Sequence, residues 1–466
     1  MVESTIAAIS TALGEGGIAI IRISGPDAVT ISTKILTRKN FEIPGKLYLT
    51  NLIDNDKNIL DRVLAVNFKA PNSYTGEDIV EIHTHGGILI ARLCLDLLLK
   101  NGAEPARPGE FTRRSFINGR IDLSQAEGVL GIIKSQSIEA IKAGARTLTG
   151  ELSRKIHKIH DEILNLQSNL EIDLDFPEHE NFIEDSNIEN EIDIIISKLK
   201  NLISQCSAGF LLNNGIKITI AGSPNVGKSS LLNAILGTER AIVTDIPGTT
   251  RDIINENILI NGLPVRISDT AGLRETENVI EAMGVELAKN SINESDICLY
   301  VLDGSTNNVV TPSPQVALFP SMRGRRVSPS QGEMSTQLTE RLKNTTIIVL
   351  NKSDLEQKID INSLPHDIPK ISVSAKNLTG ISELKNLIYD MAVKNSKLSS
   401  GLNVSAQQLD DLTESLNLII EAKNSISDDV RADMLNSARI NLLKILGIDA
   451  GDELLDNMFS RFCVGK

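Results

Sequence analysis

The chain has 466 residues, of which 41% are hydrophobic and 23% charged. This is an ordinary globular composition, and the length suits about two to four domains. The net charge of −13 argues against a protein that coats nucleic acid with uniform positive charge. The four cysteines lie far apart, the acidic N-terminal segment lacks targeting features, and no apolar run reaches the roughly 18 residues that cross a bilayer. We therefore expect a cytoplasmic protein with neither disulfides nor membrane association.

The hydrophobic pattern divides the chain into four segments. Residues 1–118 combine short strand-like runs with turn clusters and predict a small α+β domain. Residues 119–213 have apolar residues at helical spacing. Over residues 214–380 strand runs alternate with helical stretches, which predicts an α/β domain with a mainly parallel sheet. Helical periodicity returns over residues 381–466, so we expect the α/β domain to be inserted into a discontinuous all-α domain.

Charge is unevenly distributed along the chain. Residues 161–193 contain twelve acidic and no Lys or Arg residues, which we interpret as a solvated helix face and loop. Residues 107–160 carry ten basic against five acidic residues, so a local basic face remains available to RNA. Residues 304–332, rich in Pro and Arg, have the composition of an inserted loop, and we assign them no function.

A glycine-rich loop follows the strand-like run ITIA and precedes the helical run LLNAIL. The sequence GSPNVGKSS, residues 222–230, is thus in the strand, loop and helix context that a phosphate-binding loop requires. Lys228 can place a cation between the β- and γ-phosphates, and the Ser229 hydroxyl can ligate Mg²⁺. The predicted nucleotide contacts in this loop are Asn225, Val226, Gly227, Lys228, Ser229 and Ser230.

Two further motifs predict switch elements. TDIPGTTRD carries Thr249 and Thr250, one of which should complete the Mg²⁺ shell and sense the γ-phosphate. The strand VRISDTAGL contains Asp269, which is placed to hold a Mg²⁺-bound water, and the Gly272 N–H can contact the γ-phosphate. The predicted nucleotide contacts in these motifs are Thr244, Asp245, Ile246, Thr249, Thr250, Asp269, Thr270, Ala271 and Gly272.

Two later motifs predict specificity for guanine. In NKSD, residues 351–354, Asp354 can accept hydrogen bonds from guanine N1–H and the 2-amino group, a pair that adenine does not offer. SAK, residues 374–376, can direct a backbone N–H at guanine O6. The ordered set of motifs predicts GTP binding, with further contacts from Asn351, Lys352, Asp354, Ser374 and Ala375.

Hydrolysis of GTP needs a group that orients water. Leu273 follows DTAG where many signalling GTPases have a glutamine, so another residue must act. Glu275, Glu277 and Glu281 on the following segment are candidates, and a solvated helix start is an equal alternative for Glu275 and Glu277. A monovalent cation, held by the Asn225 side chain and carbonyl groups of the TDIPGTT loop, can replace an arginine finger.

Motifs outside the nucleotide site give the chain a more specific resemblance. They are GGIAIIRISG, NSYTGEDIVEIHTHGG, ARPGEFTRRSFINGRIDLSQAE and the terminal FCVGK. With these motifs the chain resembles the MnmE (TrmE) family of tRNA-modification GTPases over essentially its whole length. The resemblance implies an N-terminal folate-binding and dimerising domain, a discontinuous helical domain and an inserted P-loop GTPase domain of the Ras-like fold.

The resemblance also implies a reaction. A K⁺-dependent homodimeric GTPase, in a heterotetramer with a flavin-dependent partner subunit, adds a carboxymethylaminomethyl-type group to C5 of the wobble uridine, position 34, of certain tRNAs. The one-carbon unit comes from 5-formyl- or methylene-tetrahydrofolate. The folate contacts fall on Arg22, Glu81, Arg120 and Lys466, with Arg120 standing where some members have Lys.

In the GTPase domain, the resemblance assigns roles that the residues alone leave open. The catalytic glutamate falls on Glu281. The Mg²⁺ ligands fall on Ser229 and Thr250, and the K⁺ ligands on Asn225, Thr244, Ile246 and Thr249. Cys463 in the terminal motif is a possible functional thiol, and a buried inert thiol is an alternative of at least equal weight.

Two other functions remain open at this stage. A ribosome-assembly GTPase that acts as a switch on rRNA shares the phosphate loop and the switch without glutamine, but such proteins lack the folate-type N-terminal domain and FCVGK. A structural scaffold with a vestigial GTPase is disfavoured by the intact Lys228, Asp269 and Glu281.

Overall fold

A computed structural model of the chain describes residues 4–175, 185–223, 225–237, 255–269, 295–306, 346–361, 364–393, 398–425, 427–448 and 451–465. The chain forms two compact units. Unit 1 comprises Met1–Leu130, Ala145–Lys200 and Gln407–Lys466, and unit 2 comprises Gly131–Gly144 and Asn201–Ala406. Within the described ranges, no helix is both long and apolar enough to span a membrane.

The N-terminal part of unit 1 is a sheet with packed helices. Its elements are β1 (Ile6–Ile9), β2 (Gly16–Ser24), α1 (Ala28–Ile35), β3 (Tyr48–Ile53), β4 (Ile59–Phe68), β5 (Ile79–Gly86), α2 (Ile88–Lys100), β6 (Glu104–Pro105) and α3 (Glu110–Ile117). The strand order is β3-β4-β5-β2-β1-β6, with β6 parallel to β1 and the other neighbouring pairs antiparallel.

Alternation along the strands of this sheet separates its two faces. Ala19, Ile21 and Ile23 of β2 are buried in a core that includes residues of α1 and α2. Because successive side chains of a strand point to opposite faces, Arg22 lies on the other face. Arg22 is paired in register with Glu81 of β5, so the two charged side chains are neighbours on that face.

Helices follow the sheet. They are α4 (Leu123–Lys134), α5 (Ile138–Leu148), α6 (Glu151–Asp175) and α7 (Asp185–Asn214). The apolar residues that are buried on α6 recur at helical spacing, for example Leu152, Ile156, Ile159 and Ile163, as expected for a helix with one face in the core.

Unit 2 contains a second sheet. Its elements are β7 (Ile216–Ala221), α8 (Lys228–Leu236), β8 (Asn255–Ile260), β9 (Leu263–Asp269), β10 (Ile297–Asp303), β11 (Thr346–Asn351), β12 (Lys370–Ser372) and α9 (Ile381–Val393). The strand order is β12-β11-β10-β7-β9-β8, and only the edge strand β8 is antiparallel to its neighbour. The carboxyl ends of the parallel strands therefore meet at one edge of the sheet, where ligands of α/β folds bind.

The chain then returns to unit 1 in three helices, α10 (Ala406–Asn424), α11 (Asp428–Ile445) and α12 (Asp452–Phe459). Helix α11 packs on α6, and Lys423 of α10 forms an ion pair of 2.6 Å with Asp193 of α7. The predicted fold class is confirmed: an N-terminal α+β part, a helical part from two regions of the chain and an α/β part. The boundaries at residues 118, 213 and 380 stay predictions.

Candidate functional site

The phosphate-binding loop follows β7, an interior strand of the second sheet. Gly222 has φ +152°, and a Cβ there would lie 2.4 Å from the carbonyl oxygen of Val301 in β10, so a side chain does not fit. Gly227 has φ +92° and directly precedes α8. The sequence therefore forms a tight turn into a helix N-terminus, the arrangement that binds phosphate through backbone N–H groups.

Two chemically active side chains begin α8. The Lys228 ammonium donates hydrogen bonds to the carbonyl oxygens of Gly222 and Ser223, both at 2.9 Å, and so lies against the loop. Ser229 follows in the first turn, where its hydroxyl can ligate Mg²⁺. Asn225, the predicted K⁺ ligand, has φ +63°, a conformation that Asn tolerates better than most residues.

Asn351 joins the phosphate loop to the guanine-binding segment. Its side chain is 2% exposed, Nδ2 donates to the Val226 carbonyl at 2.9 Å, and Oδ1 accepts from the Ala375 N–H at 3.1 Å. A Cβ at Gly227 would lie 2.3 Å from Nδ2, so this joint also requires glycine in the loop. Asn351 thus fixes the two ends of the nucleotide site relative to one another.

The carboxylate of Asp354, which is predicted to read guanine, is oriented by a buried hydroxyl. Ser374 Oγ is at the end of a loop after β12 and donates to Asp354 Oδ1 at 2.6 Å. This hydrogen bond, supported by the nearby Lys376 and Lys352 charges, holds the pKa of the Asp354 carboxyl below its usual value. The carboxylate therefore stays ionised and acceptor-only, as recognition of guanine N1–H and the 2-amino group requires.

Asp303 is a site residue that the sequence motifs did not indicate. It ends β10, and its carboxylate lies 2.6 Å from the Lys352 ammonium, which it fixes beside the NKSD turn. Partial burial raises the pKa of Asp303, but hydrogen bonds from Lys352 and Ser305 outweigh this and lower it. Its position at the carboxyl end of a parallel strand was the available signal.

Part of the predicted site lies outside the described residues. Asp269 ends β9, where only its backbone is described. Glu281 and the switch residues lie in ranges for which nothing is described, so their roles and most of the K⁺ and Mg²⁺ ligands stay predictions. These residues are Thr244, Asp245, Ile246, Thr249, Thr250, Thr270, Ala271 and Gly272.

In unit 1 the structure brings Arg22 and Glu81 together. Arg22 Nε and Nη2 both lie within 2.9 Å of Glu81 Oε1, and the guanidinium carbon is 5.5 Å from the ring centroids of Tyr74 and Phe111. Glu81 Oε2 lies 3.5 Å from His83 Nε2. The two aromatic rings and His83 were not predicted to be neighbours of this pair. Their proximity depends on the fold and has no local sequence signal.

The other predicted folate residues are arranged differently. The Arg120 side chain is exposed, and its Cγ lies 3.3 Å from where a Cβ on Gly76 would be. Lys466 lies outside the described residues, but Gly465 before it is packed on β1: a Cβ there would lie 2.4 Å from the Ile9 carbonyl. Ile9 is adjacent to Ala8, which is in register with Arg22.

The expectation that Cys463 is buried is wrong, and a function of its thiol stays a prediction. Cys463 is exposed, whereas the preceding Phe462 is buried in the cluster with Phe459 and Leu123. The physical reason is that Phe462 anchors the tail in the core and leaves Cys463 outside it. The backbone there is held by a hydrogen bond from the Gly109 N–H to the Cys463 carbonyl at 3.4 Å.

A glycine-rich loop at the start of a helix, a lysine against that loop, and an Asn-Lys-x-Asp turn and Ser-Ala-Lys loop at the same sheet edge define a P-loop GTPase domain. Comparison with known proteins then identifies the family. The family model "GTP-binding protein TrmE N-terminus" matches residues 5–120, and "MnmE helical domain" matches residues 123–463. The chain belongs to the MnmE family and is a GTP hydrolase.

Relatives match over the full length. Proteins named tRNA modification GTPase MnmE from Carboxydothermus hydrogenoformans, Natranaerobius thermophilus and Clostridioides difficile are each 39% identical, with 100% of both chains covered. The solved G domain of the T. maritima FeoB iron transporter is 23% identical over 38% of this chain and 98% of its own, at a TM-score of 0.25, and adds nothing to the assignment.

Proposed function

We propose that the protein is the GTP-hydrolysing component of a tRNA-modifying enzyme. The full-length relatives named tRNA modification GTPase support this. The observation that carries the nucleotide part is the Asn351 joint, because it holds a phosphate loop and a guanine-reading segment at a fixed separation. The ribosome-assembly alternative is not favoured, since the N-terminal 5–120 match is to the TrmE family.

The proposed reaction follows the family resemblance. With a flavin-dependent partner subunit, the homodimer adds a carboxymethylaminomethyl-type group to C5 of wobble uridine 34 in certain tRNAs. GTP hydrolysis drives a conformational cycle of the complex. A tetrahydrofolate derivative, when bound, supplies the one-carbon unit.

The residues near Arg22 fit a folate. A folate has carboxylates, which Arg22, Arg120 and Lys466 can bind, and a pterin edge rich in donors, which Glu81 can accept. Arg22 donates to Glu81 Oε1, whereas the nearest described partner of Oε2 is His83 Nε2 at 3.5 Å, so Oε2 can accept from the pterin edge. The Tyr74 and Phe111 rings hold the guanidinium in place, so the site is ordered before a ligand arrives.

The nucleotide site fits two cations of different kinds. Mg²⁺, when bound, would neutralise phosphate charge, with Ser229 and Thr250 as its protein ligands. K⁺ would be held by Asn225, Thr244, Ile246 and Thr249. Lys228 binds the β- and γ-phosphates, and Glu281 orients the attacking water. Two observations support this assignment. Ser229 is exposed in the first turn of α8, and the Lys228 ammonium contacts the phosphate loop.

The cation proposal is tested by measuring GTP turnover in K⁺ and in Na⁺ at equal ionic strength. An added positive charge at the transferred phosphoryl group contributes a large part of GTPase catalysis, so we expect turnover in K⁺ to be at least about tenfold faster. Affinity for GTP should change much less, because the phosphate loop binds without K⁺. Equal turnover rates in the two salts would contradict the proposal.

A further inference from the structure

A surface cleft on the first sheet is lined by polar and charged residues that belong to neither the candidate nucleotide site nor the candidate folate site. It has a volume of about 310 Å³ and lies along the edge strand β3 and the neighbouring β4. Asn51 of β3 is directly opposite Arg62 of β4 in the antiparallel register. The residues that line the cleft are Thr37, Arg38, Leu49, Thr50, Asn51 and Arg62.

The cleft carries positive charge without a neutralising acid. No carboxylate lines it, and neither the Arg38 nor the Arg62 guanidinium has an acidic partner within 4 Å among the described residues. The neighbouring Asp61 carboxylate accepts a hydrogen bond from the Arg62 backbone N–H, not from its guanidinium. Other arginines of the same unit are paired: Arg22 with Glu81, and Arg114 with both Glu77 and Glu110. Two unpaired guanidinium groups in one concave surface therefore favour an anionic ligand.

Arg38 is held in one orientation by its neighbours. Its Nε donates to the Asn40 carbonyl at 2.7 Å, and the guanidinium carbon lies 3.8 Å from the Tyr48 ring centroid. The Tyr48 hydroxyl in turn accepts from the Ile43 N–H at 2.9 Å, and Lys46 Nζ lies 5.5 Å from the same ring. The two terminal nitrogens of Arg38 remain as donors, and little side-chain entropy is lost when they bind a ligand.

The floor of the cleft is equally ordered. The Thr37 and Thr50 hydroxyl oxygens are 3.1 Å apart, and they accept hydrogen bonds from the backbone N–H groups of Asn51 and Arg38 respectively. The Leu49 side chain, 55% exposed, adds an apolar surface beside these polar groups. The planar guanidinium groups can bind a phosphate through paired hydrogen bonds, and the apolar surface can contact the group that carries the phosphate.

We propose that this cleft binds the phosphodiester backbone of the substrate tRNA. The inference rests on the proposed function in tRNA modification. Arg38 and Arg62 contact phosphate oxygens, and Lys46 extends the positive surface along the chain of the ligand. Because these contacts involve the backbone, they position the tRNA without selecting a base sequence. The overall charge of −13 makes a local site of this kind necessary for an RNA ligand.

The test uses the full-length protein and unmodified substrate tRNA. Arg38→Gln/Arg62→Gln should bind tRNA roughly tenfold more weakly at about 0.15 M salt, and the slope of log affinity against log salt should decrease by about 2, one for each lost phosphate contact. The control is Arg92→Gln, which removes an exposed arginine of α2 that has no acidic partner among the described residues. It should leave affinity and slope within about twofold of wild type.

Three outcomes would overturn the inference. Wild-type affinity in the double variant would exclude the cleft as a tRNA site. An equal loss in the Arg92 variant would show a general effect of charge. Absence of tRNA binding by the wild-type protein would contradict the proposed function as well, and so is distinguishable from failure of the cleft alone. Thermal unfolding of the double variant, compared with the control, verifies that both are folded.

Discussion

At the scale of single residues, the candidate nucleotide site depends on side chains that form hydrogen bonds or ion pairs with other residues of the site and so position them. The buried Asn351 side chain donates to the Val226 carbonyl and accepts from the Ala375 N–H, so it connects two loops. Ser374 orients Asp354, and Asp303 orients Lys352. The residues of the guanine motif are therefore ordered before GTP binds, which lowers the entropic cost of recognition.

The orientation of Asp354 gives a prediction about base specificity. In Asp354→Asn, Ser374 Oγ can still donate to Oδ1, so the amide Nδ2 takes the place of the other carboxylate oxygen. The Nδ2 donor cannot form a hydrogen bond with the 2-amino group of guanine, which is also a donor, but it can donate to the 2-carbonyl oxygen of xanthine. We expect GTP affinity to fall by roughly 100-fold and XTP affinity to rise by a similar factor, measured with fluorescent nucleotides.

The matched control is Glu356→Gln, which removes an exposed carboxylate two residues further along the same segment. It should alter neither affinity. If Asp354→Asn kept normal GTP binding without gaining XTP binding, then Asp354 would not read the guanine base.

Short motifs made the nucleotide residues predictable, because a phosphate loop imposes glycine and lysine at fixed spacing. Lys228, Ser229 and Asp354 were predicted in this way. Asp303 was not found, since its contact with Lys352 joins residues that are 49 positions apart and depends on adjacent parallel strands. The exposure of Cys463 could not be predicted for a similar reason: it is set by Phe462, which occupies the core instead.

At the scale of elements, the C-terminal tail is positioned by two glycines. Gly109 directly precedes α3, and a Cβ there would lie 2.5 Å from the Phe459 carbonyl of α12. Gly465 has φ +95° and is packed on Ile9 and Ser10 after β1. These close approaches fix the tail as far as Gly465 next to β1, the strand that pairs with the Arg22-bearing β2.

We expect Gly465→Ala to weaken folate binding by about tenfold. Its Cβ would overlap the Ile9 carbonyl and its φ is strained for alanine, so the tail must move, at a cost of roughly 1–3 kcal/mol. Affinity is measured by titration with 5-formyl-tetrahydrofolate, and GTP turnover serves as a measure of intact unit 2.

Val464→Ala is the control, because this exposed side chain is trimmed without a backbone clash. Folate affinity that is unchanged in Gly465→Ala would show that the position of the tail does not matter. Loss of binding in both variants would point to the tail as a whole rather than to the Gly465 contact.

Hydrophobic periodicity predicted which helices and strands form better than it predicted where they begin and end. The apolar spacing of α6 and the strand run ITIA of β7 appear as expected, because burial of one face determines both patterns. The grouping of helices was less predictable: residues 131–144 and 201–213 belong to the compact unit of the second sheet. Such grouping follows contacts between distant segments, for example the Leu402 N–H with the Gln205 carbonyl at 3.0 Å.

At the scale of the whole molecule, nucleotide chemistry and the proposed one-carbon chemistry belong to different units. The nucleotide motifs lie in unit 2, whereas Arg22, Glu81 and the tail lie in unit 1. The chain passes between the units after Leu130, Gly144, Lys200 and Ala406. A change in unit 2 on GTP hydrolysis can therefore reach unit 1 through several covalent connections, as the proposed conformational cycle requires.

The most direct test is nucleoside analysis, by mass spectrometry, of tRNA from cells that lack the gene. The carboxymethylaminomethyl-type group at wobble uridine should be absent, and expression of the wild-type protein should restore it. Lys228→Ala should not restore it, because the cation at the phosphate loop is lost. Normal wobble uridines in the cells that lack the gene would contradict the proposed role in tRNA modification.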